Sequence, residues 1–222
     1  MQEIYDIKPI EQGIVQLSAG ASLIVSSGLL KWDNQHSQFL PVKSSEFNTH
    51  WERFDKIYGR AAMWNIFSTG AELLLKGYLI NAGTLVAEPK KVFQFPDNKK
   101  LDEWALKLLK TQYQKRETQP AYGYGTIAAA LTNFRKHKNI DTTVKVGKVK
   151  KGDKEVFVTA AYELLRDSIR NRDTHAYIPN VRSKHGWLAN GVFMKAFNIL
   201  LGYLSDEDRI EVSKAVMKSR PI

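Results

Sequence analysis

Residues 10–32, IEQGIVQLSAGASLIVSSGLLKW, decide the fold class. Apolar side chains recur there at helical spacing, and Pro9 just ahead suits a first turn, where its missing N–H costs nothing. The stretch predicts one long helix running to Trp32. From Gln12 to Leu30 it carries no charge, as a membrane span would. Serines, two glutamines and three glycines interrupt it, however, and its hydrophobicity is modest for a span. A buried helix with a small-residue face fits better. Ser18, Ala19, Ala21 and Ser22 would let a second helix approach closely.

The helical period continues outward from this stretch. Residues 44–83 read as a second, longer helical element, with Gly59 as an interruption and Gly83 as the stop. Residues 92–116 begin as a loop and turn helical near Lys100, with Leu101, Trp104, Ala105 and Leu108 facing inward. The stretch ETQPAYGYGT, residues 117–126, is a loop, and TIAAALTNFRKHK, residues 126–138, restores the helix. Residues 140–155 alternate and hold the Gly152–Asp153 turn signal, which predicts a short β-hairpin or a basic loop. Asp153 is placed to cap a helix over 154–173, whose inner face is Phe157, Ala161, Leu164, Leu165, Ser168 and Ile169. Pro179 forces a break soon after. Another helix covers 183–204, and Ser205 with Asp208 makes a capping-box-like start for the last one, 205–218. The expected architecture is an all-α, up-and-down helical bundle in one domain over 1–222, with about six or seven helices.

Composition narrows the function classes. The net charge of +10 favours an anionic partner such as nucleic acid, a phosphorylated ligand or an anionic membrane surface. Absence of cysteine excludes disulfides, thiolate metal sites and cysteine nucleophiles. The first residues carry acids and lack the basic flank of a secretory signal, which predicts a soluble, cytoplasmic protein. No P-loop, dinucleotide fingerprint or nucleophile elbow occurs. His36, His50, His137 and His185 have no spacing suited to a helical metal site. Tryptophans 32, 51, 64, 104 and 187 fit a core or an interface better than a nucleotide stack.

The chemistry concentrates in IRNRDTHAYIP, residues 169–179. Arg170, Asn171 and His175 follow an apolar stripe, and Tyr177 comes two residues later. A neutral histidine accepts a proton near neutral pH and its conjugate acid returns one, while an arginine grips phosphate oxygens. An RNA phosphodiester carries its own nucleophile, the 2′-hydroxyl, so these groups suffice without a metal. On an unbroken α-helix Arg170 and His175 would lie about 140° apart around the axis. They converge only if the helix loosens near Thr174, or if two copies face each other across a symmetric interface. The bland reading is a polar helix end, with cations complementing the helix dipole and His175 an ordinary capping residue.

The segment RNRDTHAY resembles the R-x4–6-H motif of the HEPN superfamily, and most closely the R-x4-H-x-Y version of HEPN toxins paired with small nucleotidyltransferase antitoxins. Arg170, His175 and Tyr177 fall on that pattern. GAELLLKGYLI, residues 70–80, is similar to an E-x-L-x-K pattern on an earlier helix of the family, giving Glu72 and Lys76. The resemblance implies a helical homodimer with the two motifs apposed. It implies a metal-independent, cofactor-free endoribonuclease acting in toxin–antitoxin or anti-phage systems and leaving 2′,3′-cyclic phosphate ends. An antitoxin of nucleotidyltransferase type would be a partner and could modify Tyr177. Relative to compact family members, residues 84–125 and 140–155 look like insertions.

Basic patches support an RNA partner. Lys148, Lys150 and Lys151 in KVGKVKKGDK, and Arg135 and Lys136 in NFRKHK, can track a phosphate backbone, and Phe93, Phe95 and Phe134 offer rings. Arg166, four residues before Arg170, can extend the phosphate grip or pair with Glu163 or Asp167. Glu72 and Lys76 can equally be a plain helical ion pair. Two other functions compete with catalysis: a non-catalytic HEPN-like RNA- or nucleotide-binding scaffold, and a basic helical DNA-binding regulator.

Overall fold

The computed structural model describes residues 9–43, 59–84, 127–140, 153–170 and 188–218. Among these residues six α-helices and one two-stranded antiparallel sheet form the fold. Helix α1 is Pro9–Ser26, followed by β1 (Leu30–Asp33) and β2 (Gln38–Pro41). Then come α2 (Gly59–Asn81), α3 (Ile127–His137) and α4 (Lys154–Leu164). Helix α4 runs directly into a π-helical segment, Leu165–Arg170. A second π-helical segment, Leu188–Phe193, leads into α5 (Met194–Leu201), and α6 (Asp206–Lys218) ends the chain's described part. The all-α bundle with a small β element is therefore the fold. No helix of the described residues is long and apolar enough to cross a membrane.

Helices α1 and α2 pack antiparallel at backbone distance. A Cβ added to Gly20 would meet the Leu74 amide nitrogen at 2.5 Å and the Gly70 carbonyl at 2.6 Å. One added to Gly77 would meet the Leu17 nitrogen at 2.5 Å, and one on Gly13 the Asn81 nitrogen at 2.9 Å. Contact therefore runs from Gly13 beside Asn81 to Ile24 beside Gly70. Glycines at seven-residue spacing, 13 and 20 on α1 and 70 and 77 on α2, line one face of each helix. The backbones approach closely at these glycines, which the predicted small-residue set of Ser18, Ala19, Ala21 and Ser22 leaves out. Of these Ala21 is buried and Ala19 is exposed on the outer face.

Helix α1 ends six residues earlier than its periodicity predicts. Ser27 stops it by turning its hydroxyl onto the Ile24 carbonyl at 2.6 Å, and Gly28 adopts φ +73. The apolar residues beyond become a strand. Trp32 pairs with Phe39 across β1 and β2, and the rings meet edge to face at 5.0 Å. Asp33 shapes the turn by accepting from the Gln35 and His36 amides. Two asparagine side chains then fasten β2. Asn198 accepts from the Phe39 N–H at 2.8 Å and donates to the Phe39 carbonyl at 2.9 Å. Asn190 does the same at Val42, at 3.4 and 3.0 Å. Satisfied backbone groups at a sheet edge leave no template for a further strand. The hairpin expected within 140–155 falls largely on 141–152, outside the described residues.

Elsewhere the punctuation is as the sequence indicates. Helix α2 closes on Gly83, φ +70, with Thr84 N–H donating to the Leu79 carbonyl and Gly83 N–H to the Ile80 carbonyl, the paired bonds of a Schellman end. Ser205 accepts from the Asp208 amide at 3.1 Å to start α6. Aromatic rings fill the centre: Phe67 lies 5.6 Å from Phe193 and 5.5 Å from Phe197, with Trp64, Tyr162 and Phe39 around them. The expected inward residues Leu101, Trp104, Ala105 and Leu108, the loop 117–126, and Trp51 and Trp187 lie outside the described residues.

Backbone-to-backbone contact predicts sharp intolerance at the glycine stripe. Gly20→Ala and Gly77→Ala should each lower unfolding free energy by about 1–3 kcal/mol in urea titration, since a methyl there has no room. Ala19→Gln, on the exposed face of the same helix, should change it by less than about 0.5 kcal/mol.

Candidate functional site

The motif helix is α4 with its π continuation. Asp153 caps it by accepting from the Val156 amide at 3.3 Å. Its buried face is Val158, Thr159, Ala161, Tyr162 and Leu165, while Phe157 and Leu164 are only partly buried. The predicted stripe is rotated because Tyr162 turns inward. Its hydroxyl donates to the Ala71 carbonyl of α2 at 3.1 Å, and burial pushes the phenol up. From Leu165 to Arg170 the helix widens to the i→i+5 register and lies against α2. Wide turns thus flank residues 171–187 on both sides, since the second π segment begins at Leu188. Single π turns are enriched at functional sites.

Arg170 is the final residue of the first π segment. Asn171, His175 and Tyr177 lie outside the described residues, as do Lys148, Lys150, Lys151, Phe93, Phe95, His50 and His185. What the structure does place is the support on the neighbouring elements. On α2, Lys76 Nζ lies 2.6 Å from Glu72 Oε1, and the two side chains are 14% and 9% exposed. An i,i+4 pair this well shielded is unlike a solvated surface pair, because each charge needs the other once water is removed.

Arg166 takes one of the pairings that its sequence neighbours allow. Its Nε and Nη2 donate to the two Asp167 carboxylate oxygens at 2.7 and 3.1 Å. These bonds push the Arg166 guanidinium up and hold the Asp167 carboxyl below the usual range. Arg135 on α3 is ion-paired with Glu163 on α4. Partial burial, and then the nearby Arg166 charge, lower Arg135 from its ordinary value. Through Glu163, Arg135 is tied to the helix about one turn before Arg166. Lys136 is exposed next to Arg135, whereas Phe134 is fully buried and offers no ring to a base.

A second polar cluster lies where α2 and α3 end. His137 Nδ1 is 2.8 Å from Thr84 Oγ1, and Nε2 is 3.4 Å from the Tyr78 hydroxyl. Lys138 Nζ sits 4.0 Å from the centroid of the Tyr203 ring, a cation–π contact. Tyr203 donates to Glu155 at 2.7 Å, which lowers the Glu155 carboxyl. Sequence reasoning missed this cluster, because its members come from 78, 84, 137–138, 155 and 203 with no shared spacing. Among the described residues no three His, Asp or Glu side chains converge as a metal site. His36 instead pairs with Asp33 at 2.7 Å.

Compared with known proteins, the chain matches no family model, no curated protein and no solved structure.

Two stability measurements check this electrostatic picture. Lys76→Met, which strips the cation from a shielded carboxylate, should cost about 3 kcal/mol, and Glu72→Gln/Lys76→Met together should cost less than the sum of the two singles. At His137, burial and then Lys138 favour the neutral ring in the fold. The unfolded chain therefore takes up this proton first as pH falls. The stabilisation is complete above the ordinary imidazole range and is lost as pH drops through the depressed folded value. Between about pH 7.5 and about pH 5.5 the wild type should lose stability more steeply than His137→Gln, in parallel urea titrations.

Proposed function

We propose that the protein is a metal-independent endoribonuclease of HEPN type, acting as a homodimer in a toxin or anti-phage role. The observation that carries the reading is R-x4-H-x-Y at 170–177, entered from a π-helical turn that packs on the helix bearing Glu72 and Lys76. The π register bears on the spacing difficulty. Where bonds close i→i+5, a residue advances roughly 80°, so residues five apart come within roughly 40° of each other around the axis. R-x4-H is an i,i+5 spacing, and Arg170 leaves the described chain in that register.

In this reading His175 takes the proton from a ribose 2′-hydroxyl. The freed oxygen attacks phosphorus, Arg170 stabilises the charge on the phosphorane, and Asn171 orients the phosphate. The 5′-oxygen leaves with a proton, giving a 2′,3′-cyclic phosphate and a 5′-hydroxyl. His175, or its mate across the dimer, is the donor for that proton. Tyr177 supports the site or receives a modification from a nucleotidyltransferase-type antitoxin, and Lys148, Lys150, Lys151, Arg135 and Lys136 hold flanking phosphates. A second reading, a non-catalytic RNA-binding scaffold, draws on the ion pairs that already occupy Arg135 and Arg166.

The test is bulk RNA incubated with purified protein in EDTA, with end-group analysis of the products. Wild type should cleave, and His175→Ala and Arg170→Ala should each lose about a hundredfold or more in rate. Equal cleavage by wild type and His175→Ala sinks the catalytic assignment. RNA binding with no cleavage by wild type favours the scaffold.

A further inference from the structure

Two arginines, one on the helix that ends at Arg170 and one ion-paired to it, are each held by a carboxylate. Arg135 comes from α3 and pairs with Glu163 of α4. Arg166 comes from the π segment and is gripped through two bonds by Asp167. Glu163 precedes Arg166 and Asp167 by about one turn, so Glu163 brings Arg135 to the turn that carries Arg166. Each acid offsets one of the two cations. A guanidinium exchanges one planar oxyanion for another at little geometric cost, because carboxylate and phosphate offer similar oxygen pairs. Only part of the patch is open: the Asp167 side chain is 56% exposed, whereas those of Arg135 and Glu163 are 21% exposed.

We propose that Arg135 and Arg166 form a two-arginine subsite for a backbone phosphate of single-stranded RNA, and that Glu163 and Asp167 are built-in competitors that weaken it. This rests on the ribonuclease reading and adds a regulation of affinity to it. The phosphate enters where Asp167 is open to solvent, displaces its carboxylate from Arg166, and is then shared with Arg135. Each acid thus lowers affinity for any polyanion, and removing an acid strengthens binding where removing a structural contact would not.

The experiment measures binding of a short unstructured oligoribonucleotide, by anisotropy in EDTA, in a His175→Ala background that keeps the RNA intact. Asp167→Asn, at an exposed position, should tighten binding about threefold, and Glu163→Gln/Asp167→Asn about tenfold. The salt dependence should steepen by about 0.7 in log–log slope for each additional phosphate that the variant neutralises. Arg135→Gln/Arg166→Gln should weaken binding about tenfold and flatten the slope. Unchanged or weaker binding by folded Asp167→Asn overturns the proposal, and so does failure of every variant to bind. Inorganic phosphate competing as well as the oligoribonucleotide overturns the RNA assignment. No cleavage by wild type, together with tighter binding by Asp167→Asn, would sink the nuclease reading and leave this subsite standing.

Discussion

The backbone contact between α1 and α2 is the constraint on which the other elements depend. Gly13 and Gly20 on one helix, and Gly70 and Gly77 on the other, bring main chain against main chain, with Leu17, Ile24 and Leu74 filling the space between. Glycine lowers intrinsic helix stability by about 1 kcal/mol per residue, so four of them in two helices need a return from packing. Close approach supplies it through dispersion contacts and through the burial of Leu17, Ile24, Leu74 and Leu75, none of which is exposed to solvent. The pair then offers two further surfaces. One side of α1 takes α6, and α2 takes α3, the π segment that continues α4, and α5.

Helix α2 carries the consequence for function. Glu72 lies roughly 200° around the axis from Gly70. The glycine face is used by α1, which leaves the charged Glu72–Lys76 face turned the other way and still shielded. Tyr162 fastens α4 to α2 at Ala71, the residue between Gly70 and Glu72. The widening of α4 into a π turn begins three residues later, so the arginine-bearing segment starts from a fixed point. Arg170 thereby inherits its position from a core tyrosine and from a helix held by glycines. The charge surplus is answered locally, because Arg135 and Arg166 are each countered by an acid rather than left as open cations.

Much of this order is legible in the sequence, and the failures have physical causes. Helical period, the Asp153 and Ser205 caps and the Gly83 stop are local signals, and each stands where the residues indicate. The end of α1 is not legible by period, because Leu29, Leu30 and Trp32 suit a helix and a strand equally. Ser27 and Gly28 decide it by hydrogen bonding and positive φ. Small residues of every kind point to a close helix contact, and the glycines bring the two backbones together because they allow the closest approach. The clamps of Asn190 and Asn198 on β2 join residues about 150 positions apart, which no local pattern can announce. On the site, the Glu72–Lys76 pair is readable from i,i+4 spacing, but its burial is not. The Arg135–Glu163 pair becomes visible only with the packing of α3 on α4.

Glycine-mediated contact in one register is thus the claim from which the placement of the motif helix follows. The direct measurement is a set of nuclear Overhauser contacts in isotope-labelled protein between the α-protons of Gly20 and the Leu74 amide, and between the α-protons of Gly70 and the Ile24 amide, with Gly13 seen against the Asn81 amide. The account predicts all of these, running antiparallel from Gly13–Asn81 to Ile24–Gly70. Their absence, or contacts that place Ala19 against α2 instead, would contradict it.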